Sequence, residues 1–219
     1  MIDKMSRQKV SLKKKVYNEI LDGIVKGDFP LDQFLNEGDL ATKFGVSKAP
    51  IREALIELCN ENVIRSIPRL GYQIVQLNIT HVKESTELRL ILEMAAFKKT
   101  VQNFNDTFLT KLSELNKENA LQKSKGLLAP EQHWERNCTF HLLLCSFSGN
   151  ALLTKMLEDT LNLIRRAFYQ LFTIVEYQEY VSTNLNRHME IEDALRKRNF
   201  GLAAELLEKD ILRMRYSIQ

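Results

Sequence analysis

The sequence predicts a mainly α chain in two domains, residues 1–77 and 78–219, and three features of its 219 residues carry that prediction. Helix breakers are scarce, with 8 glycines and 4 prolines, while Leu, Glu, Lys, Ala and Asn recur throughout. Apolar residues fall at helical spacing along most of the chain. That period gives way at VIRSIP and YQIVQL, where β-branched residues flank Arg69-Leu70-Gly71 as two strands flank a tight turn. The apolar share, 44%, is enough for buried cores.

The first helix, over residues 11–26, sets Val16, Ile20 and Ile24 on one stripe, with Tyr17 and Leu21 beside them. Gly27-Asp28-Phe29-Pro30 breaks it. Asn36 is the expected cap of a short second helix through Phe44, with Leu40 and Ala41 inward and Gly45 ending it. Ser47 then caps a third helix, which tolerates Pro50 in its first turn and turns Ile51, Ala54, Leu55 and Leu58 inward. After the two strands, Asn78-Ile79-Thr80 marks the domain boundary, and Thr80 is the expected cap of a long helix through about Val101. Further helices are expected at about 106–124, 130–148, 150–173, 177–198 and 200–216, with breaks at Gly126, Pro130, Gly149-Asn150 and Asn199.

A net charge of +3 is too small to mark a nucleic-acid binder in bulk, so the placement of charge decides. Cys59, Cys138 and Cys145 are odd in number and lie among apolar neighbours, as reduced thiols in helix cores do. The basic N-terminus MIDKMSRQKVSLKKKV lacks the apolar run and small-residue cleavage site of a secretory leader, and no stretch is long enough to span a membrane. A cytoplasmic protein is expected. No Gly-rich phosphate loop, Ser-His-Asp or Cys-His set or paired Glu-x-x-His motif is evident, so an enzyme is not expected.

The stretch GVSKAPIREAL, residues 45–55, bears on function. A helix, a turn at Gly45 and a second helix with polar residues at its start is how a helix-turn-helix offers side chains to the major groove, and the hairpin that follows would be its wing. Lys48 and Arg52, four apart, share an outward face while Ile51 and Leu55 point inward. Arg52 can fork onto guanine O6 and N7, Lys48 can meet a guanine or a phosphate, and Ser47 can add a phosphate hydrogen bond. At the hairpin tip Arg69 can reach a minor groove, with Gly71 letting backbone approach the duplex closely. On an isolated helix Lys48 and Arg52 would read as a solvated face; the order of helix, turn, helix and hairpin is what favours DNA. Lys9, Lys13, Lys14 and Lys15 add positive charge upstream, open to phosphate or to solvent.

Residues from about 11 to 77, through GDFPLDQFLNEGDLATKFGVSKAPIREALIELCNENVIRSIPRLGYQIV, resemble the winged helix-turn-helix of GntR-type bacterial transcription regulators. The family pattern has Pro-Gly where this chain has Leu31-Asp32, and arginine where it has Lys48. Lysine lacks the bidentate fork, which leaves Arg52 as the expected base reader.

Residues 86–96, TELRLILEMAA, and 136–150, RNCTFHLLLCSFSGN, resemble the FCD effector-binding domain of the FadR subgroup. That resemblance implies a metal site of Asp or Asn and three histidines, which falls on Asn137, His141, His188 and Asp210. Asn137 supplies a neutral oxygen, and Asp210 stands where a histidine is expected. Two imidazoles and one carboxylate suit a borderline divalent ion such as Zn, Ni or Mn. By spacing alone, His141 and His188 read as hydrogen-bonded interior histidines, and an effector bound directly by them is the fallback. The resemblance also points to Arg89 as a holder of an effector carboxylate with Glu93 orienting it, against the plainer alternative of an intrahelical ion pair. Arg165 and Arg166 are further candidates for an anionic ligand. His81, His133 and Trp134 receive no role.

These readings predict a ligand-responsive regulator, expected to be a repressor, acting as a homodimer on roughly palindromic double-stranded operator DNA and released by a small carboxylate. Two alternatives stand beside it: a helical-bundle metalloenzyme, and a DNA-binding protein whose helical domain only dimerises.

Overall fold

Helix α1 (Leu12–Lys26) opens the part of the chain that the computed structural model describes, residues 11–124, 130–171 and 184–216. Lys9, Gly126, residues 172–173 and the start of the helix expected at 177–198 lie outside the described residues. The chain divides into two compact units between Leu77 and Asn78.

In the first unit, Ser11 Oγ accepts from the Lys14 amide at 3.2 Å to cap α1, and Gly27, at φ 77°, closes it. There follow β1 (Phe34–Leu35), α2 (Glu37–Phe44), α3 (Lys48–Asn60), β2 (Ile64–Ile67) and β3 (Gly71–Ile74). The strands form an antiparallel sheet in the order β1-β3-β2, with Ile64 opposite Ile74 and Phe34 opposite Gln73. Helices α1 and α2 both pack on α3. The inward residues of α3, Ile51, Ala54, Leu55 and Leu58, are fully buried with Ile20, Leu40, Ile64 and Ile74.

Strand β1 is an addition to the sequence reading, and it explains Gly71 differently. Gly71 sits at φ 117°, and a Cβ there would lie 2.5 Å from the Leu35 carbonyl oxygen and 2.9 Å from Asn36 Oδ1. The bare backbone makes room for the chain's own edge strand. Gly71→Ala is therefore expected to destabilise the first unit by about 1–3 kcal/mol, from the strained φ and the forced displacement of β1. A urea melt with an unshifted midpoint would contradict this.

Three expected caps differ. Ser47 and Asn36 occupy N-cap positions, yet neither side chain makes a capping hydrogen bond; Asn36 Nδ2 donates instead to the Phe34 carbonyl at 3.4 Å. Helix α4 (Ile79–Gln102) is capped by Asn78 and not Thr80. Asn78 Oδ1 accepts from the His81 amide and His81 Nδ1 accepts from the Asn78 amide, both at 3.1 Å, so His81 closes a capping box.

The second unit continues with α5 (Asp106–Ser124), α6 (Pro130–Ser146), α7 (Ala151–Leu171), α8 (Asn184–Arg196) and α9 (Phe200–Tyr216). Helix α4 packs against α6, α7 and α9, and α5 against α6 and α8. Phe97, Phe108, Leu112, Phe140, Leu144, Ile191, Leu195, Leu207 and Ile211 form the main core. The three cysteines are free thiols; burial pushes the Cys138 thiol up to about 12.

Candidate DNA-reading surface and buried ligand site

On α3, Lys48 and Arg52 are exposed, with the Arg52 side chain 60% accessible. Arg52 is not loose. Its Nε donates to Glu37 Oε1 at 3.0 Å and to Oε2 at 3.2 Å, and its Nη2 donates to Oε2 at 2.7 Å. Tyr72 OH, on β3, donates to Glu37 Oε1 at 3.4 Å. The Arg52 guanidinium holds the Glu37 carboxyl below its ordinary range, and Glu37 in turn raises Arg52. An acid among bases reads in sequence as repulsive to DNA, so Glu37 was not singled out; its place at the start of α2 is the one local hint.

Ser47 is exposed beside Lys48, and Arg69 is exposed at the hairpin tip with φ 68°. Lys13, Lys14 and Lys15 point to acids. Lys13 and Lys14 reach Glu57 at 2.7 and 3.9 Å, and Lys15 reaches Glu19 at 3.8 Å.

In the helical unit, His141 of α6, His188 of α8 and Asp210 of α9 converge, each offering an atom within 4.8 Å of the others. All three are buried. His141 Nε2 lies 3.2 Å and His188 Nε2 3.8 Å from Asp210 Oδ2. Both are ion-pair contacts whose alignment falls short of a straight hydrogen bond. His141 Nε2, His188 Nε2 and Asp210 Oδ1 are buried and complete no well-aligned hydrogen bond, which leaves polar capacity that a ligand would meet.

Behind them stands a carboxylate. His141 Nδ1 lies 2.6 Å from Glu93 Oε2, and Arg89 Nε donates to Glu93 Oε1 at 2.5 Å, both on α4. With Nδ1–H donating to Glu93, loss of the Nε2 proton would leave the Nε2 lone pair free to ligate. Arg89 and Glu93 thus form the intrahelical ion pair, each 1% exposed, and both Glu93 oxygens are engaged. Burial and Arg89 press the His141 pKa down, but Glu93 and Asp210 outweigh them and hold it above the ordinary value. For His188 burial wins and the pKa falls. Burial opposes ionisation of Asp210, yet the two histidines hold it well below the carboxylate range.

Two residues that sequence reasoning missed steady this cluster. The Phe140 ring stacks on His188 with centroids 3.8 Å apart and 3° between planes. Asn116 Nδ2 donates to the His188 carbonyl at 3.2 Å and to Glu192 at 2.8 Å, tying α5 to α8. Asn137 is buried one turn before His141 on α6. Arg165, half-buried, and Arg166, buried, belong to α7, outside the three converging helices.

A helix-turn-helix with a cationic outward face and a small antiparallel sheet, followed by an all-helical unit, is the arrangement of a DNA-binding transcription regulator, and the comparisons with known proteins point to the same class. Residues 12–74 match the model for bacterial regulatory proteins of the gntR family, and residues 84–213 match the FCD domain. The chain belongs to the GntR family, among its members with an FCD domain. It is 30% identical over 185 residues to the uncharacterized HTH-type transcriptional regulator YdhC of Bacillus subtilis strain 168, covering 84% of this chain and 80% of that one. It is 25% identical over 166 residues to the HTH-type transcriptional repressor RspR of Escherichia coli K12, covering 75% and 70%. In fold it is similar to E. coli McbR/YncC, with TM-score 0.74, 22% identity and coverage of 95% and 97%. No described helix is long and apolar enough to cross a membrane.

Proposed function

We propose that this regulator is a cytoplasmic repressor that binds double-stranded operator DNA as a homodimer and is released by a small carboxylate held in the helical unit. The observation that carries the ligand half of this reading is the convergence of buried donor atoms on His141, His188 and Asp210, of which His141 Nε2, His188 Nε2 and Asp210 Oδ1 complete no well-aligned hydrogen bond. Two imidazole nitrogens and a carboxylate oxygen, with His141 braced from behind by Glu93, fit a divalent ion such as Zn, Ni or Mn. Asn137 is the fourth donor of the set. Such an ion supplies a Lewis-acid anchor for a carboxylate oxygen of the effector. Arg165 is the proposed cationic partner of the same anion, while Arg89 and Glu93 orient His141.

Arg52 reads a guanine, with Ser47, Lys48 and Arg69 on phosphates or the minor groove; Gly71 shapes the wing that carries Arg69. Dimerisation is supported by large apolar side chains left exposed on two helices that pack together, Leu88 and Ile91 on α4 and Leu152 and Met156 on α7.

Selection from a random duplex library by the full-length protein is expected to return a two-fold symmetric motif. Against that motif Arg52→Ala should weaken binding by about 1–3 kcal/mol and relax one base pair per half-site. An equal loss on random duplex would rule out base readout by Arg52.

A further inference from the structure

We infer that Glu37 is a positioning residue for base readout: its carboxylate grips one edge of the Arg52 guanidinium and presents the opposite edge to the duplex. This rests on the DNA-reading role of α3. A guanidinium carries five N–H donors. The Glu37 contacts use the edge formed by Nε and Nη2. That leaves the end-on edge, Nη1 with the second Nη2 hydrogen, whose two parallel donors match guanine O6 and N7.

Exposure places the two groups in the order this needs. The Glu37 side chain is 22% accessible and the Arg52 side chain 60%, so the acid sits behind and the base in front. Tyr72 fixes the carboxylate from β3, so three elements, α2, α3 and the wing, set the direction of one side chain. A long, flexible arginine held before it meets DNA loses less freedom on binding. The plainer alternative is a surface ion pair that joins α2 to α3 and contributes little.

The two differ in sign. An acid on a DNA-facing surface weakens binding to any duplex, so a mere ion-pair partner, once removed, should raise affinity for selected and random DNA together. The test repeats the library selection with full-length wild type, Glu37→Ala, Glu37→Gln and Arg52→Ala. Glu37→Ala is expected to lose the same guanine that Arg52→Ala loses, lowering the ratio of selected to random affinity about tenfold while affinity for random duplex does not fall. Glu37→Gln, which keeps one acceptor oxygen, should retain part of the preference and guards against an alanine variant that fails to fold. In the Arg52→Ala background, Glu37→Gln should change the ratio no further. An unchanged guanine preference in both Glu37 variants would overturn the inference while sparing the DNA-reading role. A wild type that enriches no motif would sink both.

Discussion

Replacing His141 and His188 together by alanine is expected to abolish divalent-ion uptake by the full-length protein, while its far-UV circular dichroism stays helical. Both imidazoles would be gone, and the Asp210 carboxylate with only the neutral Asn137 beside it in the set cannot hold an ion against water. The expected readout is elemental analysis of the purified protein and titration with Zn, Ni or Mn. Unchanged ion content in the double variant would place any bound metal elsewhere. The pH dependence has a definite sign: because Glu93 and Asp210 raise the His141 pKa in the free cluster, an ion must displace a proton there, and uptake should weaken as pH falls.

Arg89→Met is expected to lower the stability of the helical unit by about 3–5 kcal/mol, because it keeps the buried stem but removes the charge that faces Glu93. Glu93 would remain in the core against His141, with no cation beside it when the imidazole is neutral. Adding Glu93→Gln to that variant should recover part of the loss, since the stranded charge is then gone as well. Urea melts of the single and double variants measure both steps. A loss under about 1 kcal/mol for Arg89→Met would mean that the pair contributes no more than a surface bridge.

Local patterning made α1, α2, α3 and most of the helical unit legible, because stripes such as Val16, Ile20 and Ile24 need only a period to be seen. Strand β1 was not legible: Phe34 and Leu35 are too few to show alternation, and their pairing with Gln73 and Tyr72 spans distant sequence. Asn78 and Thr80 are both good caps, and only backbone geometry chose between them. The same holds at the sites. Asn137 and His141 are singled out as ligands by the FCD resemblance rather than by their spacing, whereas Glu93 against His141, 48 residues apart, and Glu37 against Arg52, 15 apart, are set by packing. Sequence shows which side chains could do chemistry; the braces behind them come from other elements.

The relay from Asp210 through His141 to Glu93 terminates on α4, the helix that begins beside the junction at Asn78. At about 1.5 Å of rise per residue, Glu93 lies about 22 Å along that rod. Whatever shifts the His141 ring therefore loads, through Glu93 and Arg89, the helix with which the second unit begins.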